Sequence, residues 1–144
     1  MSHVDLLHRW YDEIWNKGDY SVIEDMLDPE VTFSGPVRSL VQYRDDYAEV
    51  IQAFKALLPD VHVEITHALE QGDMASCRVA VSRKQSSRHG DIYFTGHLTV
   101  RVKDGRFTDF LSDFNYFQMY AQLGQLPEDA MAVCLTGEKL VWAD

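Results

Sequence analysis

The sequence holds only two cysteines, Cys77 and Cys134. That excludes a disulfide framework, and the pair has no metal-ligand spacing, so both are expected reduced and buried in a cytoplasmic protein. Cations are scarce: 13 Lys and Arg stand against 23 Asp and Glu, for a formal net charge of −10. A nucleic-acid surface needs a basic patch, and these basic residues are scattered, which argues against nucleic acid and anionic membranes as partners. No apolar run approaches the length of a membrane span, and the opening residues MSHVDLLHRW carry no signal-peptide core. Histidines and carboxylates never fall at a metal-ligand spacing such as His-x3-His, and there is no glycine-rich phosphate loop and no Gly-x-Ser-x-Gly elbow. No metal and no cofactor are expected.

What is present fits one domain over residues 1–144, large enough to bury a core. Residues 3–16 carry Val4, Leu7, Tyr11, Ile14 and Trp15 at helical spacing, and Gly18 suits the left-handed position that ends a helix. A short helix over 20–27 stops at Asp28-Pro29, Val31-Thr32-Phe33 forms a short strand, and Ser34-Gly35-Pro36 breaks it. A long helix is expected over about 40–58, with Tyr43, Tyr47, Val50, Ile51, Phe54 and Leu58 along one stripe.

After Pro59 the apolar period changes to two. Val61, Val63, Ile65, His67 and Leu69 alternate with polar neighbours, and Gln71-Gly72-Asp73 reads as a three-residue hairpin loop that sets His67 against Cys77. A polar loop, KQSSRHGD, precedes a strand over 92–102. Asp104-Gly105 then marks a two-residue hairpin turn, since both central residues need positive φ. Counting outward from Lys103 and Arg106 sets Val102 against Phe107, Leu98 against Leu111, Gly96 against Asp113 and Phe94 against Asn115. That register puts the carboxylate of Asp113 on an otherwise apolar face, where it acts as a general acid or base with Gly96 leaving room for a ligand; at the sheet rim it is merely wet. It also puts Tyr116, Phe114 and Phe110 on the opposite face, as a dimer interface or under the C-terminal tail. Residues 125–144 read as a helical tail, begun by Pro127-Glu128-Asp129. Helices first, then a four-strand antiparallel meander, make an α+β arrangement with a pocket between the long helix and the sheet.

Tyr11-x3-Trp15-Asn16-x-Gly18-Asp19, Pro59-Asp60, Gly72-Asp73, Asp104-Gly105 and Gln122-Leu123-Gly124 together resemble the SnoaL-like (polyketide cyclase-like) branch of the nuclear transport factor 2-like superfamily, over about residues 5–124. The resemblance implies a cone-shaped fold, a curved antiparallel sheet packed on N-terminal helices around a hydrophobic pocket, usually as a homodimer. Its enzymes include cyclases, isomerases, epoxide hydrolases and dehydratases, mostly working without a cofactor; other members only bind. The cyclase-like pattern carries a tryptophan and, four residues later, an acid on the last strand. Here those positions are Leu111 and Asn115, and asparagine hydrogen-bonds but exchanges no proton near neutral pH. Tyr11 falls where isomerases hydrogen-bond a steroid carbonyl, but their base and protonated aspartate fall on Gly35 and Leu98, against that mechanism.

The expected function is therefore a cofactor-independent acid/base enzyme of cyclase, isomerase or dehydratase type acting on a hydrophobic, carbonyl-bearing small molecule. Asp113 is the expected acid/base, Asn115 and Tyr11 polarise the carbonyl, and His67 is a secondary candidate whose plainer reading is a core histidine. Trp15, Tyr43, Tyr47, Phe54, Phe94, Gly96, Leu98 and Leu111 are the expected core or pocket wall. The alternatives are a binding module of the same fold and a dimeric protein-interaction domain.

Overall fold

The first helix begins where the sequence supplies a cap. In the computed structural model, which describes residues 1–86 and 90–141, Ser2 Oγ accepts the Asp5 N–H at 3.1 Å and the Asp5 carboxylate accepts the Ser2 N–H at 3.0 Å. Helix α1 (His3–Arg9) then continues as a π-helix, Trp10–Asn16, in which the N–H of Lys17 reaches back five residues to the carbonyl of Asp12 at 3.1 Å. Trp10, Tyr11, Ile14 and Trp15 lie inside, continuing the face begun by Leu7.

After the short helix α2 (Ile23–Met26) comes strand β1 (Leu27–Ser34), which runs through Pro29 rather than starting after it. Proline is tolerated because β1 is an edge strand. The expected helix from residue 40 starts late: residues 36–46 hold two 3-10 turns, and α3 spans Tyr47–Leu57. Strands β2 (His62–Gln71), β3 (Met74–Ser86), β4 (Gly90–Lys103) and β5 (Arg106–Phe114) form the expected meander, and β1 adds a fifth strand parallel to β5, in the order β1-β5-β4-β3-β2. Helices α4 (Tyr116–Gln122) and α5 (Ala130–Leu135) follow.

Two β-bulges correct the sequence-derived register. The pairs Lys103–Arg106 and Val102–Phe107 stand as expected, but Arg101 then pairs with Asp109, leaving Thr108 as an extra residue. Beyond it Leu98 pairs with Ser112, His97 with Asp113 and Gly96 with Phe114. A one-residue slip exchanges the faces, so Phe110, Ser112 and Phe114 point inward while Leu111 and Asp113 are exposed. The physical reason is burial. Each phenylalanine gained inside is worth about 1.5–3 kcal/mol, and a carboxylate leaves an apolar surface. In β2, Gln71 pairs with Met74, so the loop is the two residues Gly72-Asp73 and not three, and His67 pairs with Arg78 rather than Cys77; a bulge at Thr66 then restores the expected pair of Ile65 with Val79.

The core fills the concave side of the sheet under α1, the π-helix and α3. Trp10 sits at its centre, with ring centroids 5.0 Å from Phe110 and 5.4 Å from Tyr47.

Candidate functional site

Four side chains were expected to do chemistry, and the fold does not bring them together. Asp113 is exposed on the outer sheet face opposite His97. Gly96 makes no room beside it: a Cβ there would meet the Phe114 ring at 2.5 Å and the Asp113 carbonyl oxygen at 2.8 Å. Asn115 is exposed and caps α4, its Oδ1 accepting the N–H of Gln118 at 3.0 Å. His67 is also exposed, its Nδ1 2.9 Å from Thr66 Oγ1. Tyr11 alone is inside, at 2% exposure. His89 lies outside the described residues.

Tyr11 belongs to a buried set of hydroxyls and a thiol. Burial holds its phenol well above the ordinary value, with Cys77, Tyr47 and Tyr116 adding to the shift. Burial also raises Tyr47, which hydrogen-bonds Ser112, the one buried polar side chain of the described strands. The Cys77 thiol and the Tyr116 phenol are each pushed up to about 12, by burial first; for Tyr116 the charges of Tyr120 and Asp113 add to it. At neutral pH this set is uncharged, able to donate hydrogen bonds but not to take a proton. The indole N–H groups of Trp10 and Trp15 are buried and find no acceptor among the described residues. Cys77 is buried as expected; Cys134, on α5, is exposed.

The open space lies nearby, between β1 with its following turn, α3 and α4: a cleft of about 1500 Å³. Its apolar wall includes Phe33, Val50, Phe54 and Met119; Arg38, Asp46, Glu49, Tyr116 and Tyr120 are its charged and phenolic lining. Of the expected wall residues Phe54 lines it. Trp15, Tyr47 and Phe94 stand behind as core, with Trp15 5.0 Å from the Phe54 ring and Tyr47 5.6 Å from that of Phe33. Leu98 and Gly96 are sealed in the sheet, while Tyr43 and Leu111 are exposed, at 64% and 42%. Tyr43 misses the wall because its N–H bonds the Asp46 carboxylate at 3.0 Å and delays the helix.

The turn carrying Arg38 is held from below. Gly35 lies at φ +100 against the Ser112 carbonyl, and its own carbonyl accepts the N–H of Arg38 at 3.1 Å. Arg38, Glu49 and Tyr116 were missed by sequence reasoning because they lie far apart in the chain. The one local signal was Asn115-x-x-Gln118, a helix cap that turns Tyr116 back toward the sheet.

The family model described as "SnoaL-like domain" matches residues 7–110, most of the chain and within the span of the sequence resemblance. Solved structures with this fold include IdmH from Streptomyces antibioticus, described as a putative polyketide cyclase, at 22% identity and TM-score 0.73 over 84% of this chain and 97% of that one. A Bacillus cereus protein described in the same words has 22% identity and TM-score 0.76, over 85% of this chain and 80% of its own. A hypothetical protein of ketosteroid isomerase-like fold from Catenulispora acidiphila, in complex with trimethylamine, has 16% identity and TM-score 0.70, over 89% and 98%. No curated protein matches the sequence. The matched family model and the shared α+β architecture place this chain in the SnoaL-like family of the nuclear transport factor 2-like fold.

Proposed function

We propose that the protein binds a small, largely apolar, carbonyl-bearing molecule in the cleft between β1, α3 and α4 and carries out cyclase-type proton transfer on it. The observation that carries this reading is a roughly 1500 Å³ cleft with an apolar wall and a few polar groups at fixed places, the usual constitution of a ligand site. Glu49 is the proton acceptor, since its carboxylate lines the cleft and has no hydrogen-bond partner among the described residues, whereas Asp46 is occupied by Tyr43. Glu49 removes a proton from the carbon beside the carbonyl. The oxygen of the resulting enolate accepts a hydrogen bond from Tyr116, whose phenol stays protonated, and the guanidinium of Arg38 offsets its charge. The enolate carbon then attacks a second carbonyl of the same molecule, closing a ring, and the proton on Glu49 passes to the new alkoxide.

Deuterium incorporation from D2O into an aryl β-diketone, followed by NMR, tests the first step. The protein should accelerate it, and Glu49→Gln should remove about 10²–10⁴-fold of that acceleration. Acceleration untouched by Glu49→Gln would end the assignment of the base. A second reading, binding without turnover, is favoured by the neutrality of every buried hydroxyl and thiol described above. It predicts saturable binding of the diketone with no added exchange.

We also propose a homodimer through the outer sheet face. Support comes from Leu69 and Leu111, exposed at either end of one cross-strand row, Leu69–Ser76–Thr99–Leu111, with Tyr93 exposed further along β4. The aromatics first expected there, Phe110 and Phe114, are buried in the core instead, and Tyr116 lines the cleft.

A further inference from the structure

The C-terminal segment leaves apolar side chains without cover. Met131, Leu135 and Val141 are 55%, 80% and 90% exposed. A second uncovered set surrounds the cleft, where Leu40, Leu57 and Tyr120 line the opening at 70%, 40% and 37% exposure. The two sets are joined by a short piece of chain. The N–H groups of Gln125 and Leu126 both bond the carbonyl of Tyr120, at 2.9 and 3.3 Å, and Gly124, at φ +75, reverses the chain there. The tail therefore departs from a residue of the cleft wall. Beyond that hinge, α5 buries Ala130 at its start and leaves Met131 and Leu135 outward, with the N–H of Ala130 on the Pro127 carbonyl at 3.0 Å and that of Val133 on Asp129 at 3.0 Å.

The segment also lies beyond the residues that the family model matches. IdmH and the Catenulispora acidiphila protein are covered over 97% and 98% of their own lengths while covering 84% and 89% of this chain. The family match ends at residue 110.

We infer that residues 125–141 form a strap that closes over the cleft of their own chain, seating Met131 and Leu135 against Leu40, Leu57 and Tyr120. The reach suffices. Closure releases the turn bonds on the Tyr120 and Pro127 carbonyls; six extended steps from Gly124 to Ala130 and four helical ones to Cys134 then span about 26 Å, whereas α3, one wall of the cleft, is about 16 Å long. A closed strap excludes water from the cleft, and open it admits the ligand, so access to the site is set by the hinge at Gly124. The inference relies on the proposed binding role for the purpose of closure, and not for its geometry.

Cys134, exposed on α5, provides the test. In Leu40→Cys, and separately in Leu57→Cys, mild oxidation should join the introduced thiol to Cys134 within one chain. The product runs as a monomer on a non-reducing gel, loses both accessible thiols, and yields a peptide linking the two segments. The same treatment of Leu69→Cys, on the outer sheet face, should give no intrachain link. A linked dimer would overturn the inference by making a second copy the occupant, and so would absence of the link at both rim positions or equal linking at residue 69. Anilinonaphthalene sulfonate fluorescence separates the two proposals: locking the strap should cut binding of the dye at least fivefold. If the link forms but the unlocked protein never binds the dye, the strap stands and the binding role of the cleft falls.

Discussion

Gly35 connects β1 to the turn that presents Arg38, and its lack of a side chain is a structural requirement. At φ +100 it lies in the left-handed region, and a Cβ would overlap the Ser112 carbonyl. Gly35→Ala should cost about 2–4 kcal/mol, combining backbone strain with overpacking, as read by urea denaturation. Gly105 has φ +77 but open space around it, so Gly105→Ala should cost only about 1 kcal/mol. The two cysteines differ as sharply. With Cys77 buried and Cys134 exposed, one thiol should react promptly with a chromogenic disulfide at pH 8 and the other only on unfolding. The raised groups also set an alkaline limit. Cys77 goes from 9.0 to about 12 and Tyr116 from 10.0 to about 12, so each stays protonated in the fold at a pH where the unfolded chain ionises. Their contribution is intact below pH 9 and is lost as pH rises through 12. Thermal melts should show Tm falling across that window, and Cys77→Ala should delay the start of the fall toward pH 10.

At the scale of the element, one extra residue decides which groups face the core. Phe107, Phe110 and Phe114 cannot share a face of a regular strand, because 107 and 110 differ in parity. A bulge at Thr108 reconciles them, and deleting Thr108 should leave a regular ladder with the same pairs, Phe107, Phe110 and Phe114 inside and Asp113 outside. The deletion variant should keep a cooperative urea transition and near-ultraviolet circular dichroism, and loss of both would contradict the register. The turn Asp104-Gly105 was legible in the sequence, and so was the pairing next to it. The face of Asp113 was not, because counting outward assumes a regular ladder, although the parity of the three phenylalanines carried the signal. The π-helix misled less: Trp10, Tyr11, Ile14 and Trp15 lie inside under either helix.

For the whole molecule, the order of helices and strands, with the Tyr11 to Asp19 motif, was enough to read the fold class and family. The cleft was not readable, since its walls come from segments around residues 31–42, 49–57 and 116–120 that only the fold assembles. Its lining shares no period and no motif. If the outer face pairs two copies, Leu69→Asp with Leu111→Asp should convert a dimer to a monomer in sedimentation equilibrium while leaving the cleft unchanged. The central claim is that ligand enters the cleft rather than meeting Asp113 on the outer face. Amide chemical shifts recorded by NMR during titration with an aryl β-diketone test it most directly. The account predicts perturbations concentrated at residues 31–42, 49–57 and 116–120, with His67, His97 and Asp113 unmoved. Perturbations centred on those three residues, with the cleft silent, would contradict it.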